Sequence, residues 1–176
     1  MNATLVNLAS LLDAYGGGDV AILVSAAVLR GRRVLLTRAP MAGAHAYALP
    51  TVRLKPGERL LEAGERAGQG TVEAISCGRL LVLVESIAGA EHRLQLTFGA
   101  SARTGSGEAR GIWASVTRLG DLDLDPWIAF GLRTALGPGR RTPVHVVADP
   151  TIPTGGEPGR VPVPEPASSH RSRVTR

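Results

Sequence analysis

The sequence predicts an α+β or α/β domain in which a mixed β-sheet is sandwiched by helices. Short β-rich segments follow one another and are joined by tight turns, which indicates hairpins. Two segments with helical spacing stand among them, one in the middle of the chain and one after the later strands. Because strands and helices do not alternate strictly, a doubly wound parallel sheet is not expected.

The helices are predicted from apolar spacing and from their end signals. Leucines at helical spacing indicate a helix over residues 3–15, which a run of three glycines ends. A second helix is predicted at 59–67, and glycines 64, 68 and 70 are expected to break or fray it, since glycine costs about 1 kcal/mol relative to alanine inside a helix. A third is predicted at 126–136, where Pro126 suits the first turn.

The strands are predicted from β-rich composition between turn residues. The segments 20–29 and 33–38 form a hairpin around the turn 30–32, and a short extended piece begins at Leu49 and Pro50. Further strands are predicted at 78–85, 92–100, 111–116 and 143–147. The expected organisation is an N-terminal helix and glycine linker at 1–18, a folded domain at 19–148, and a disordered tail rich in Pro, Gly, Ser and Arg at 149–176.

Composition excludes several classes of protein. A hydrophobic content of 44% permits a packed core, and no apolar run approaches the roughly 20 residues of a membrane span. The single cysteine, Cys77, excludes an internal disulfide framework, and the N-terminus lacks the pattern of a secretory signal, so a cytoplasmic location is expected. The net charge of +5 is dispersed along the chain and aromatic residues make up 3%, so neither a nucleic-acid nor a membrane partner is expected.

The segment 49–63, LPTVRLKPGERLLEA, resembles the start of a Nudix box, the loop–helix–loop motif Gx5Ex7REUxEExGU in which U is a bulky aliphatic residue. Gly57 and Glu58 match the turn before the helix, and Arg66 falls on the arginine of the box. The flanking hairpin 21–38, the later segment 91–98, and Trp113 with the segment 119–126 also resemble the family. The resemblance covers about 20–136 and implies a Nudix-like fold.

The departures from the box bear on its chemistry. The family binds Mg²⁺ or Mn²⁺ through glutamates on one face of the box helix. Ala67, Gly70 and Thr71 stand at those positions, Val52 replaces the first glycine, and Glu73 replaces the last. We therefore expect no metal site and no cofactor. The remaining helix glutamates, Glu62 and Glu65, are expected to form a solvated face with arginine partners.

The resemblance also implies a ligand cavity, and several polar residues are candidates for it. A side chain that accepts or donates protons near neutral pH suits acid–base chemistry. The candidates for this role are His45, Tyr47, Glu85 and His92. The candidates for ligand binding are Arg38, Glu58, Arg93, Gln95 and Thr97, three of which alternate with Leu94, Leu96 and Phe98 along one strand.

These residues leave three functions open. The first is a protein with a degraded box that binds a small molecule or a partner in the cavity. The second is a repurposed, metal-independent enzyme of specialised metabolism that uses the acid–base candidates. The third is a Mg-dependent hydrolase of nucleoside diphosphate derivatives with displaced ligands. A homodimer is compatible with all three.

Overall fold

The computed structural model describes residues 20–39, 45–72, 74–88, 91–103 and 109–148. The helix expected at 3–15 and the tail expected from 149 lie outside the described residues. Within the described ranges, no helix has both the length and the apolar character needed to cross a membrane.

The described residues form a mixed sheet with one α-helix on each face. The strands are β1 (Val20–Arg30), β2 (Arg33–Arg38), β3 (Tyr47–Ala48), β4 (Thr51–Arg53), β5 (Ile75–Ala88), β6 (Glu91–Ala102), β7 (Ile112–Ser115) and β8 (Val144–Ala148). The α-helices are α1 (Leu60–Gln69) and α2 (Pro126–Ala135), and a 3₁₀ helix spans Val116–Asp121. The predicted fold class is confirmed.

The sheet is organised around a long parallel pair. Its main path is β3-β2-β1-β6-β5-β8, with β4 paired to β1 and β7 paired to β2. Strands β1 and β6 run parallel from Val20 opposite His92 to Val28 opposite Ala100, and β5 and β8 are also parallel. Strands β1 and β2 form the predicted hairpin, in which Gly31 has a φ of 58° that suits glycine.

Alternation along β6 directs its side chains to two different layers. Leu94, Leu96 and Phe98 pack beneath α1 together with Ala63. Gln95 and Thr97 point to the opposite face, the face that carries α2. The α2 layer holds the larger apolar cluster, which includes Leu36, Val82, Val84, Ile128 and Leu132.

The expectation that Gly64 and Gly68 break or fray the middle helix is wrong, because α1 is continuous from Leu60 to Gln69, whereas Gly70 is its C-cap. Gly64 and Gly68 are buried against the sheet. A Cβ on Gly64 would lie 2.8 Å from the Sγ of Cys77, and one on Gly68 would overlap the Cδ1 of Ile75. Both glycines therefore allow the helix to approach the sheet closely, which outweighs their low helix propensity.

The start of α2 follows from its sequence. The carboxylate of Asp125 accepts hydrogen bonds from the backbone N–H groups of Trp127 (2.8 Å) and Ile128 (3.2 Å), and Pro126 occupies the first turn. This is the usual arrangement of an aspartate N-cap followed by proline. It fixes the N-terminus of α2 beside strand β3, where Tyr47 pairs with Leu124.

Candidate functional site

The segment that resembles the Nudix box is held together by an ion pair. Arg66 donates from Nε and Nη2 to the two carboxylate oxygens of Glu58, each at 2.8 Å, and Nη2 also donates to the carbonyl of Arg53 at 2.9 Å. The backbone N–H of Lys55 donates to Glu58 as well. These bonds lower the pKa of Glu58 to about 2. Both of its oxygens are therefore occupied in fixing the loop between β4 and α1.

The positions where the box pattern carries further glutamates offer few ligand atoms. Ala67 is nearly buried, Gly70 has no side chain, and the hydroxyl of Thr71 donates to the carbonyl of Gly68 at 2.7 Å. Of the remaining helix glutamates, Glu65 accepts from the backbone N–H of Cys77. Across the described residues, no three His, Cys, Asp or Glu side chains are grouped so that they could hold a metal ion. Glu73 lies outside those residues.

A cavity of about 170 Å³ lies on the other face of the sheet, between β3, β4, β6 and the start of α2. Three residues that the sequence singled out, His45, Tyr47 and Gln95, line it together. Its other lining residues are Ala39, Ala48, Leu49, Thr51, Leu124, Asp125 and Ile128. Apolar walls with a few convergent polar groups are typical of small-molecule sites.

A chain of hydrogen bonds runs along one wall of this cavity. The amide of Gln95 donates to the hydroxyl of Ser25 at 2.8 Å, and that hydroxyl lies 2.8 Å from the hydroxyl of Thr51. Because Thr51 donates to the carbonyl of Leu49 at 2.9 Å, it accepts from Ser25, and the direction of every bond is fixed. The carbonyl oxygen and the second amide hydrogen of Gln95 take no part in this chain of bonds.

The loop at the cavity mouth is fastened by Asp123. One oxygen of its carboxylate lies 2.8 Å from the Nδ1 of His45, and the other accepts from the backbone N–H of Ala46 at 2.9 Å. The hydrogen bond to His45 and the one to Ala46 hold the pKa of Asp123 below its usual range. Asp123 is exposed and nevertheless positions His45, while Asp125 caps α2.

Glu85 and His92 do not share this cavity. They lie on the face of the sheet that carries α1, because Glu85 is opposite Leu94 and Ile87 is opposite His92. Glu85 is buried, and its oxygens lie 2.9 Å from the Nε2 of His92 and 3.2 Å from the Nε2 of His145. The four acid–base candidates therefore form two separate pairs, and His145 is a partner that the sequence did not indicate.

The other ligand candidates lie outside the cavity wall. Arg38 is exposed and pairs with Tyr47 across β2 and β3. Arg93 is exposed near the start of β6. Thr97 is fully buried opposite Ser25, and its hydroxyl has no hydrogen-bond partner among the described residues. Of the five ligand candidates, Gln95 is the one that lines the cavity.

The arrangement of the mixed sheet and its two helices is that of the Nudix hydrolases. The structure of a UDP-X diphosphatase has a TM-score of 0.58 at 17% identity over 80% of this chain and 74% of its own. The structure of the E. coli ORF135 protein has a TM-score of 0.56 at 16% identity, and the match covers 70% of this chain and 97% of that protein. The structure of a Nudix hydrolase from Nitrosomonas europaea has a TM-score of 0.56 at 18% identity, and the match covers 71% of this chain and 93% of that protein.

These similarities establish a Nudix-like fold. No family model and no curated protein sequence matches this chain.

Proposed function

We propose that this chain binds a small organic molecule in the cavity between β3, β4, β6 and α2, and that it does not hydrolyse diphosphates with the help of a metal ion. The observation that carries the proposal is the cavity itself, in which Gln95 and His45 are each held by further polar residues among apolar walls. Its volume of about 170 Å³ is close to the roughly 150 Å³ of an engineered cavity that accepts benzene. We expect a compact ligand with one ring or a short chain.

The donor set argues against the metal chemistry of the fold's better-known members. A divalent cation of the Mg²⁺ type needs several hard oxygen ligands that converge on one point. Ala67 and Gly70 supply none, Thr71 is committed to Gly68, and Glu58 is committed to Arg66. The described residues do not fit such an ion. The similarity to a UDP-X diphosphatase is one of fold.

A direct search for the ligand tests the binding proposal. Native mass spectrometry of the purified chain, followed by a thermal-shift screen of small polar aromatic and aliphatic compounds, is expected to find a stabilising ligand. Gln95→Ala is expected to weaken that ligand about fivefold, the effect of one lost hydrogen bond of about 1 kcal/mol. Arg93→Ala, which changes an exposed residue on the same strand face, is the matched control and is expected to leave binding unchanged.

A hydrolysis assay tests the other half of the proposal. Nucleotide sugars, dinucleotides and nucleoside triphosphates are incubated with the chain, with and without Mg²⁺ or Mn²⁺. We expect no metal-dependent release of product. Turnover near or above about 1 s⁻¹ that is lost in Glu58→Ala, Glu62→Ala, Glu65→Ala or Glu73→Ala would contradict the proposal and favour a hydrolase with displaced ligands.

The pair His45 and Asp123 favours a second candidate, a metal-independent acid–base enzyme that uses the same cavity. A carboxylate bound to Nδ1 orients the imidazole and leaves Nε2 as the nitrogen that exchanges protons with a bound molecule. Once a ligand is known, its conversion is followed with His45→Gln and Asp123→Asn. If the wild-type chain converts the ligand and the variants bind it without converting it, the chain is an enzyme. If the wild-type chain leaves the ligand unchanged, the chain is a binding protein. Asp121→Asn, an exposed neighbour, is the control.

A further inference from the structure

Six exposed arginines that are dispersed in the sequence are gathered at one end of the sheet. We call this region the arginine end. It consists of Arg30, Arg32, Arg33, Arg79, Arg103 and Arg140. The sequence gives no sign of a dense basic patch, because these residues come from four distant segments.

The strand topology brings the four segments together. Strands β1 and β6 are parallel and both finish here, so Arg30 and Arg103 adjoin the same end of the sheet. Strand β2 begins at Arg33, which is paired with Arg30. Strands β5 and β8 begin at the same end, and the Nη1 of Arg79 donates to the backbone carbonyl of Arg140 at 3.4 Å.

Within the part of the chain that the structure describes, the positive charge at this end is largely uncompensated. No carboxylate of the described residues forms a salt bridge with any arginine of the set. Arg30 lies over the ring of Trp113, 4.6 Å from its centroid, and the nearby Asp121 is paired with Arg118. Glu73 and Glu108, which are close to Arg79 and Arg103 in the sequence, lie outside the described residues.

We propose that the arginine end binds the phosphate backbone of a nucleic-acid duplex. Guanidinium groups match phosphate geometry and bind it in a bidentate manner. The end extends across five adjacent strands, about 19 Å at the usual strand spacing of roughly 4.8 Å. That width accommodates several phosphates, and pairing of this kind carries sequence-independent affinity.

Other anionic partners fit this surface less well. A membrane surface is usually held by exposed apolar side chains beside the basic ones. The exposed large apolar residues of the described chain are Leu61, Ile87, Ile112, Phe130 and Val147, and none of them belongs to the loops of the arginine end. A single strand needs aromatic faces on which bases stack, whereas Trp113 is already covered by Arg30.

Fluorescence anisotropy of a labelled DNA duplex with the full chain tests this proposal. We expect a dissociation constant of roughly 10⁻⁶–10⁻⁴ M that weakens steeply between about 50 and 200 mM salt. The triple variant Arg32→Ala/Arg103→Ala/Arg140→Ala removes exposed side chains that form no ion pair among the described residues. It is expected to bind at least about tenfold more weakly and to lower the salt slope by up to about 3, since each phosphate that is no longer neutralised accounts for about 0.9.

The matched control removes the same charge from the other end of the molecule. Arg53→Ala/Lys55→Ala/Arg59→Ala replaces three exposed cations around the loop before α1 and is expected to keep the wild-type salt slope. Equal weakening by both triple variants would show a diffuse effect of net charge and overturn the proposal. So would tighter binding of the corresponding single strand, or binding to phosphatidylserine vesicles in place of the duplex. Single Arg32→Glu and Arg103→Glu variants provide the same test if a triple variant does not fold.

Discussion

Glu58 and Arg66 are joined by two hydrogen bonds of 2.8 Å across eight positions of the chain. The same arginine reaches the carbonyl of Arg53, so that one side chain ties β4, the following loop and α1 together. Glu58 and Arg66 are the two residues of the box pattern that form this ion pair. The ion pair therefore holds the loop between β4 and α1 in place by itself, through contacts at both ends of that loop.

The first prediction concerns this ion pair and pH. Glu58→Gln removes the charge that Arg66 binds, so its urea midpoint at pH 7 is expected to lie below that of the wild type. Because the pKa of Glu58 falls from 4.5 to about 2 on folding, its stabilising effect is present above pH 4.5 and is lost as the pH falls towards 2. The two midpoints should converge there. Glu62→Gln, at an exposed glutamate of the same helix, is the control, and a difference that persists at pH 2 would contradict the explanation.

The second prediction concerns the packing of α2. Gly131→Ala would normally stabilise a helix by about 1 kcal/mol. Here the new Cβ would lie 2.5 Å from one methyl of the fully buried Val82 and 3.2 Å from the other. We expect a net loss of roughly 1–3 kcal/mol in the free energy of unfolding.

Two variants check the steric cause of that loss. Gly70→Ala adds a methyl group into open space at the end of α1 and is expected to be neutral or slightly stabilising. Val82→Ala combined with Gly131→Ala should cost less than the two single changes added together. If the losses in the free energy of unfolding from Val82→Ala and Gly131→Ala are simply additive, a steric collision between the two side chains is ruled out.

The third prediction concerns the cavity mouth. Asp123→Ala removes the acceptor of the Ala46 amide but leaves the bond from the Tyr47 amide to the backbone carbonyl of residue 123. Hydrogen exchange followed by NMR should therefore quicken at Ala46 more than at Tyr47. Asp121→Ala is expected to change neither amide. Equal protection of Ala46 in wild type and Asp123→Ala would show that the carboxylate does not hold this loop.

The fourth prediction concerns the single thiol. Burial, together with the charge of Glu65, raises the pKa of Cys77 to about 11 from an ordinary 9. At pH 8 the thiolate population is then about a hundredfold lower than for a free cysteine. The reaction with a disulfide reagent is expected to be slower by about the same factor. The reaction should reach the ordinary rate in denaturant. Glu65→Gln should accelerate it modestly, and Glu62→Gln should not.

Local patterns were sufficient for the longer strands and for both α-helices of the described residues, but they gave no sign of β3 or of the 3₁₀ helix. The turn at Gly31 and the pair Asp125 and Pro126 carry their structure in adjacent residues, so the first hairpin and α2 could be predicted. The glycines of α1 could not be interpreted in this way, because their benefit comes from Cys77 and Ile75 on another strand. The same limit applies to the site: nothing near His45 in the sequence points to Asp123, which lies 78 positions away.

The packing of α1 on the sheet limits which single substitutions could introduce a metal ligand into this helix. The side chain of Ile75 fills the space where the box pattern places a bulky aliphatic residue at 68, and Ala67 is nearly buried beside it. A glutamate at 67 alone would bring a carboxylate into apolar packing, and a larger residue at 68 alone would collide with Ile75. A glutamate at 67 therefore lowers stability before any ion is bound, whereas a side chain at position 70 would enter open space. A carboxylate at 67 would therefore need a compensating change in the packing of α1 on the sheet before it could serve as a ligand.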